Sequence, residues 1–187
     1  MGLFDYFRNN KRQKDNDQPF LFFHEDDFRQ IELIPKENFD QAKSQSNEIL
    51  EFSEKNFDGI GYTNIYIRND NNIHLQVRKI SVEELDELLL KIGFYKVPKV
   101  ITGYGQDYRV IASNTIGFGQ DYAAIYYDFQ ENIVTNIWLT QPYNINMEKI
   151  ISFLEEVGKK WDLLLADWEA TEIIDLSDKE AIINYLS

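Results

Sequence analysis

Cysteine is absent from this chain of 187 residues. That absence removes disulfides, thiol nucleophiles and cysteine-type zinc sites together, and it fits a reducing compartment. Histidine is nearly absent: His24 and His74 are the only two. No G-x-S-x-G elbow accompanies them, so no Ser-His-Asp site is expected. The four prolines and nine glycines are too few for a low-complexity or collagen-like chain. No run of 18 apolar residues occurs, so no membrane span is expected. The start, from Met1 to Tyr6, lacks a charged segment ahead of an apolar one, and Tyr6 stands where a myristoylation signal needs Ser or Thr. These absences lead to the expectation of a cytoplasmic protein. Nucleotide motifs are missing too. G-x-G-x-x-G would need glycine where Tyr108 and Tyr122 stand, and no Gly-Lys-Ser/Thr follows a glycine loop. The run His24-Glu25-Asp26-Asp27 is the densest set of ligand-type side chains. Phe28 breaks the H-E-x-x-H pattern, and consecutive strand residues point to opposite faces. It reads as a solvated loop, and no metal, cofactor or catalytic residue is expected.

What the chain does have is negative charge, aromatics and regular apolar spacing. The net charge is −13. The first 20 residues carry Arg8, Lys11, Arg12 and Lys14 against Asp5, Asp15 and Asp17, so the rest of the chain carries −14. So acidic a body repels nucleic acid and anionic membrane, whose binding relies on Lys and Arg. A basic protein is the partner it suits. Hydrophobic residues at 43% are enough for a self-sufficient core, since a chain of this size buries roughly 70% of its unfolded surface.

Residues 1–18 read as a flexible tail, with Leu3, Phe4 and Phe7 on one short apolar turn before a polar run. Residues 19–187 read as a single α+β domain. Pro19 to Phe23 and Ile31 to Pro35 are strand-like. Phe39 to Asn56 carries apolar residues at helical spacing. Ile65, Ile67, Ile73, Leu75 and Val77 alternate with polar residues around Asn69-Asp70-Asn71-Asn72, which predicts a hairpin. Ser81 with Glu84 forms a capping box ahead of Leu85, Leu88, Leu89 and Ile92, and Gly93 ends that helix. From Val97 to Leu139 the pattern is β, with Gln130-Glu131-Asn132 as a hairpin loop. Asn146 caps a helix through Ile150, Ile151, Leu154 and Val157, expected to stop at Gly158. Leu163 to Ala166 and Ile173 to Leu176 are short strands. Ser177 with Glu180 predicts a second capping box before a last helix. The fold expected is α+β, a mostly antiparallel sheet built of hairpins with three to four helices packed on one face. The helical stripes should meet Ile125, Ile137 and Leu139.

One feature is more specific than the rest. Gly103-Tyr104-Gly105-Gln106-Asp107-Tyr108 recurs as Gly117-Phe118-Gly119-Gln120-Asp121-Tyr122. The order suggests equivalent turns entering adjacent antiparallel strands, with matching conformations at the paired glycines. Two readings stand: turn chemistry alone, or Gln106, Asp107, Gln120 and Asp121 lining a pocket for a polar ligand. The segment Asp162 to Trp168 suggests a second binding region. Its acids Asp162 and Asp167, with Glu169 and the aromatic Trp168, have the composition of a protein interface.

No motif ties the chain to a named family. The expected function is a non-enzymatic, acidic protein-binding domain. A bacterial toxin-immunity (inhibitor) protein is its concrete form, by analogy of class: such proteins need surface complementarity to a basic site rather than a motif. The alternative is a small-ligand-binding or carboxylate-dependent hydrolytic domain with its pocket at the two repeated turns.

Overall fold

The structure, a computed structural model, describes residues 18–104 and 108–187. The expected tail up to residue 17, and Gln106 and Asp107, lie outside these described residues.

A seven-stranded sheet organises the fold. Its strands in chain order are β2 (Ile31–Pro35), β3 (Lys96–Val97), β6 (Thr115–Gln120), β7 (Ala123–Gln130), β8 (Ile133–Thr140), β9 (Leu163–Asp167) and β10 (Glu172–Asp175). In space they run β10-β9-β2-β8-β7-β6-β3, and every neighbouring pair is antiparallel. A second sheet of three strands is formed by β1 (Phe20–His24), β4 (Lys99–Tyr104) and β5 (Tyr108–Ile111). Its β1–β4 pair is parallel, the one exception among the described strands. The helices are α1 (Phe39–Asn56), α2 (Val82–Ile92), α3 (Met147–Trp161) and α4 (Lys179–Leu186). This is the expected α+β fold with a mostly antiparallel sheet.

Alternation along the strands assigns each residue a face. Ile31, Leu33, Phe118, Ile125, Tyr127, Ile137, Leu139, Leu163 and Leu165 face α2, α3 and α4, meeting Leu85, Leu89, Ile150, Phe153, Leu154 and Ile182. Leu88, Ile92 and Ile151 pack at the margin of this core. Three of the four described α-helices thus share one face, as the leucine and isoleucine stripes required. The opposite face is covered in two pieces. The small sheet lies over one half, where Leu21, Phe23 and Val100 meet Ala124, Tyr126 and Trp138. Helix α1 lies over the other half, where Ala42 and Ile49 meet Ile34, Leu164, Ala166 and Trp168.

Local signals account for most helix ends. Ser81 accepts from the Glu84 N–H, Glu84 reaches back to Ser81, and Gly93 closes α2 in the left-handed region at φ 93°. Asn146 accepts from the Lys149 N–H to start α3. Helix α3 does not stop at Gly158. It runs to Trp161, and Asp162 terminates it at φ 52°. Gly158 has a packing role instead, because a Cβ there would lie 2.5 Å from the Leu176 carbonyl oxygen. The second expected capping box, Ser177 with Glu180, is not formed; Asp178 alone caps α4. Asp178 accepts from the Glu180 and Ala181 N–H groups, while Ser177 bonds to Asp175.

The expected hairpin over residues 65–78 is not formed. Residues 65–71 join no ladder, and Leu75–Arg78 is a single 3-10 turn. The alternation there is real, but over residues 65–68 its polar members point inward, whereas Leu75 is buried in the second half. Tyr66 donates to Glu48 at 2.9 Å, and Arg68 enters a buried ion pair described below. Ile65 and Ile67 are left 84% and 85% exposed.

The repeat places both copies at antiparallel returns, β4 to β5 and β6 to β7. The copies lie in different sheets and are out of phase. Gly103 (φ 143°) and Gly119 (φ 141°) share a conformation, yet one is the first glycine of its copy and the other the second. Each faces its returning strand so closely that a Cβ would meet backbone, at 1.9 Å from the Tyr108 oxygen and 2.4 Å from the Ala123 oxygen. Gly117 is not left-handed. Its need for glycine is the Leu21 side chain, 2.8 Å from where a Cβ would stand. The expected match of Gly103 with Gly117 is therefore overturned: the backbone of a paired strand crowds Gly103 and Gly119, while side chains of the small sheet crowd Gly117.

Candidate functional site

At one end of the large sheet the chain leaves a cleft of about 380 Å³. It is assembled from six places in the sequence. Phe22 comes from β1, and Asp27 from the 3-10 turn after it. Gln30 and Ile31 open β2, Tyr122 stands in the β6–β7 turn, and Leu139 and Thr140 close β8. Gln141 then takes a left-handed conformation (φ 44°), which turns the chain into the short helix Pro142–Asn144 and brings Tyr143 and Asn144 to the wall. Glu169 follows β9. The Thr140 hydroxyl donates to the Tyr122 carbonyl at 2.7 Å and fixes the turn against the strand end.

The cleft is electrostatically one-sided. None of the described residues lining it is Lys, Arg or His. The Glu169 carboxyl is pushed above the ordinary carboxylate range, first by burial and then by the negative charges of Asp167 and Asp27. Behind it, Asp167 is 2% exposed. It accepts from the Tyr185 hydroxyl at 2.8 Å, the Tyr143 hydroxyl at 3.4 Å and the Ala170 N–H at 2.8 Å. Burial, then its hydrogen-bond partner Tyr185 and the charge of Asp167 act on the Tyr143 phenol, and the net effect is upward. Asp27 and Glu169 thus share a cleft with Tyr122 and Tyr143 and no cation among its described walls, a lining that suits a cationic group. Among the described residues, no group of three or more Asp, Glu, His or Cys is placed to hold a metal ion.

Other residues singled out in the sequence are distributed around this site. Gln120 and Asp121 line a neighbouring open groove with Pro19, Phe20 and Tyr95. Asp121 itself is left-handed at φ 54° in the turn. Asp162 lies at the opposite end of β9 from Asp167. Its carbonyl accepts from the Lys36 N–H at 3.0 Å and from Arg78 at 3.1 Å. Trp168 is buried on the other face of the sheet, at 3% exposure. Of the β9 group, only Glu169 lines the cleft.

Trp168 belongs to a second polar cluster. Its Nε1–H donates to Glu32 Oε1 at 2.9 Å. Glu32, 2% exposed, also receives Arg29 Nε at 2.6 Å and Arg68 Nη1 at 3.0 Å. The Arg68 guanidinium stacks 4.6 Å over the Trp168 ring and donates to the Arg29 carbonyl at 3.1 Å. Two arginines thus neutralise one buried carboxylate, and Arg68 fastens the connection after α1 to the sheet. Sequence reasoning missed Asp27, Gln30 and Tyr143 in the cleft, and Glu32, Arg29 and Arg68 in this cluster. A signal existed for Glu32: a charge inside the apolar strand Ile31-Glu32-Leu33-Ile34 has to be paired when both faces are covered.

No protein-family model, no curated protein and no solved structure matches this chain.

Proposed function

We propose that the chain is a non-enzymatic binding domain for a basic protein, and that the acidic cleft receives a lysine or arginine side chain of that partner. The observation that carries the reading is the cleft's uncompensated charge: Asp27 and Glu169 line it with no cation among its described walls, and burial, then the negative charges of Asp167 and Asp27, hold the Glu169 carboxyl above its ordinary range. A partner's ammonium or guanidinium group would offset those charges, stack on Tyr122 or Tyr143 and accept partial desolvation. The net charge of −13 would speed approach of such a partner. A bacterial, cytoplasmic toxin-immunity (inhibitor) protein acting on a cationic nuclease-type toxin fits this chemistry, and the cysteine-free composition suits that compartment.

The test is an NMR titration with acetyl-arginine methylamide and acetyl-lysine methylamide, with acetyl-glutamate methylamide as the control. Shifts at Tyr122, Tyr143 and Glu169 that need a cationic probe and vanish in Asp27→Asn/Glu169→Gln support the reading. Equal response to the acidic probe refutes it.

A second reading rests on the same raised carboxyl. A carboxyl raised by burial, in one cleft with a second carboxylate, is the arrangement an acid–base pair for hydrolysis uses, and the wall includes Tyr122 of the second repeat. Turnover of a glycoside or ester abolished by Glu169→Gln would favour it over partner binding.

A further inference from the structure

The connection from α1 to the 3-10 turn Leu75–Arg78 spans residues 57–74. Regular secondary structure does not hold it in place. Its polar side chains and backbone do: Asp58 closes a turn within the strap, and the other groups bond toward the body. Asp58 accepts from the Ile60 and Gly61 N–H groups. Tyr66 reaches Glu48 and packs its ring 5.4 Å from Phe52. Arg68 is locked on Glu32 and Trp168. Gln41 donates to the Asp70 carbonyl and accepts from the Asn72 N–H, and Asn38 pairs with both backbone groups of Ile73.

The apolar side chains of this strap go the other way. Ile60 is 96% exposed, Ile65 84% and Ile67 85%. In an extended segment, side chains two apart share a side, so anchoring Tyr66 and Arg68 inward fixes Ile65 and Ile67 outward as one ridge. A folded chain gains nothing by itself from pinning two isoleucines into water, and exposed apolar surface rimmed by polar residues marks an interaction site.

We propose that this ridge is a docking surface for a basic protein that offers an apolar groove flanked by lysine or arginine. Charge selects the occupant. Exposed Glu48, Asp58 and Asp70 lie on or against the strap and exposed Glu51 one turn from Glu48, against Lys55, which bonds to Glu51, and the inward Arg68. A second copy would bring like charge against like charge, whereas a basic partner neutralises it. The proposal rests on the binding function above but uses a different surface from the cleft.

The experiment selects short peptides from a displayed random library against the intact chain, then measures the enriched peptides against Ile65→Ser/Ile67→Ser and, separately, Asp27→Asn/Glu169→Gln. Both isoleucines are exposed, so an unchanged thermal midpoint confirms that the first variant is folded. The expected result is a pool rich in Lys or Arg beside Leu, Ile or aromatic residues, whose affinity falls at least about tenfold in the strap variant and weakens with added salt. Binders lost only in the cleft variant overturn the strap proposal and leave the cleft reading standing. Binders insensitive to both variants overturn both. A concentration-dependent dimer abolished by Ile65→Ser/Ile67→Ser assigns the ridge to a second copy and also overturns the proposal.

Discussion

Replacing Arg68 by alanine removes the contact that ties the strap to the sheet. Glu32 has 3% of its side chain exposed, and Arg68 supplies one of its two ion pairs. Breaking a buried pair from one side costs about 3–5 kcal/mol, because the remaining charge stays buried. Two features move the expectation to the lower end. Arg29 still faces Glu32 at 2.6 Å, and Trp168 still donates to it. Arg68 is also 24% exposed, so part of its own desolvation is recovered on removal. The expected loss is about 3 kcal/mol, or roughly 6–12 °C in thermal midpoint at about 2–4 °C per kcal/mol for a chain of this length. The assay is urea unfolding with hydrogen exchange on the same samples. Exchange should accelerate first at residues 64–72, before any global loss of protection. A double-mutant cycle with Glu32→Gln should return a coupling of about 1–3 kcal/mol. A midpoint shift below about 1 °C, or a coupling below about 0.5 kcal/mol, would refute the assignment of Arg68 as the strap's anchor.

Three further outcomes test other parts of the account. Leu154→Ala removes a fully buried side chain on α3 and should cost about 2–5 kcal/mol in chemical unfolding. Gly158→Ala forces a methyl group against the Leu176 backbone; calorimetry should show about 1–3 kcal/mol of destabilisation despite alanine's better helix propensity. Glu169 has its folded carboxyl raised above the unfolded value, so the native state binds more protons there. Its contribution is most favourable below the ordinary carboxylate range and is lost as pH rises through the raised value. Glu169→Gln should therefore raise the thermal midpoint at neutral pH relative to the wild-type chain and flatten the decline on the weakly acidic side. An unchanged pH profile would remove the repulsion argument for the cleft.

What could be read from the sequence was local. The Ser81–Glu84 box, the leucine stripe of α2 and the Asn146 cap of α3 are encoded within a few residues, and the structure has them. The β7–β8 hairpin was readable for the same reason, since its short loop joins neighbours, whereas β6 occupies residues 115–120, where the repeat suggested a turn. Partnerships across long separations were not. The parallel pairing of β1 with β4 joins Phe20 to Lys99, and no spacing rule announces it. At residues 65–68 the period of two was visible but not its sense, because which side faces inward depends on Glu32, Glu48 and Trp168 from three other segments. Gly158 reads as a helix stop only until Leu176 is placed beside it. The cleft draws on residues from Phe22 to Glu169, so sequence composition led only to Glu169 and to the Tyr122 turn.

The central claim is that this acidic chain recognises a basic protein through defined sites rather than by diffuse attraction. The most direct measurement is the binding of oligo-arginine and oligo-glutamate peptides to the labelled full chain, followed by NMR at low and physiological ionic strength. The account predicts binding of the cationic peptide alone. Shifts should concentrate at Tyr122, Tyr143 and Glu169, and affinity should drop about tenfold or more as screening tightens to about 8 Å. Shifts spread evenly over the acidic surface, unaffected by Asp27→Asn/Glu169→Gln, would contradict it.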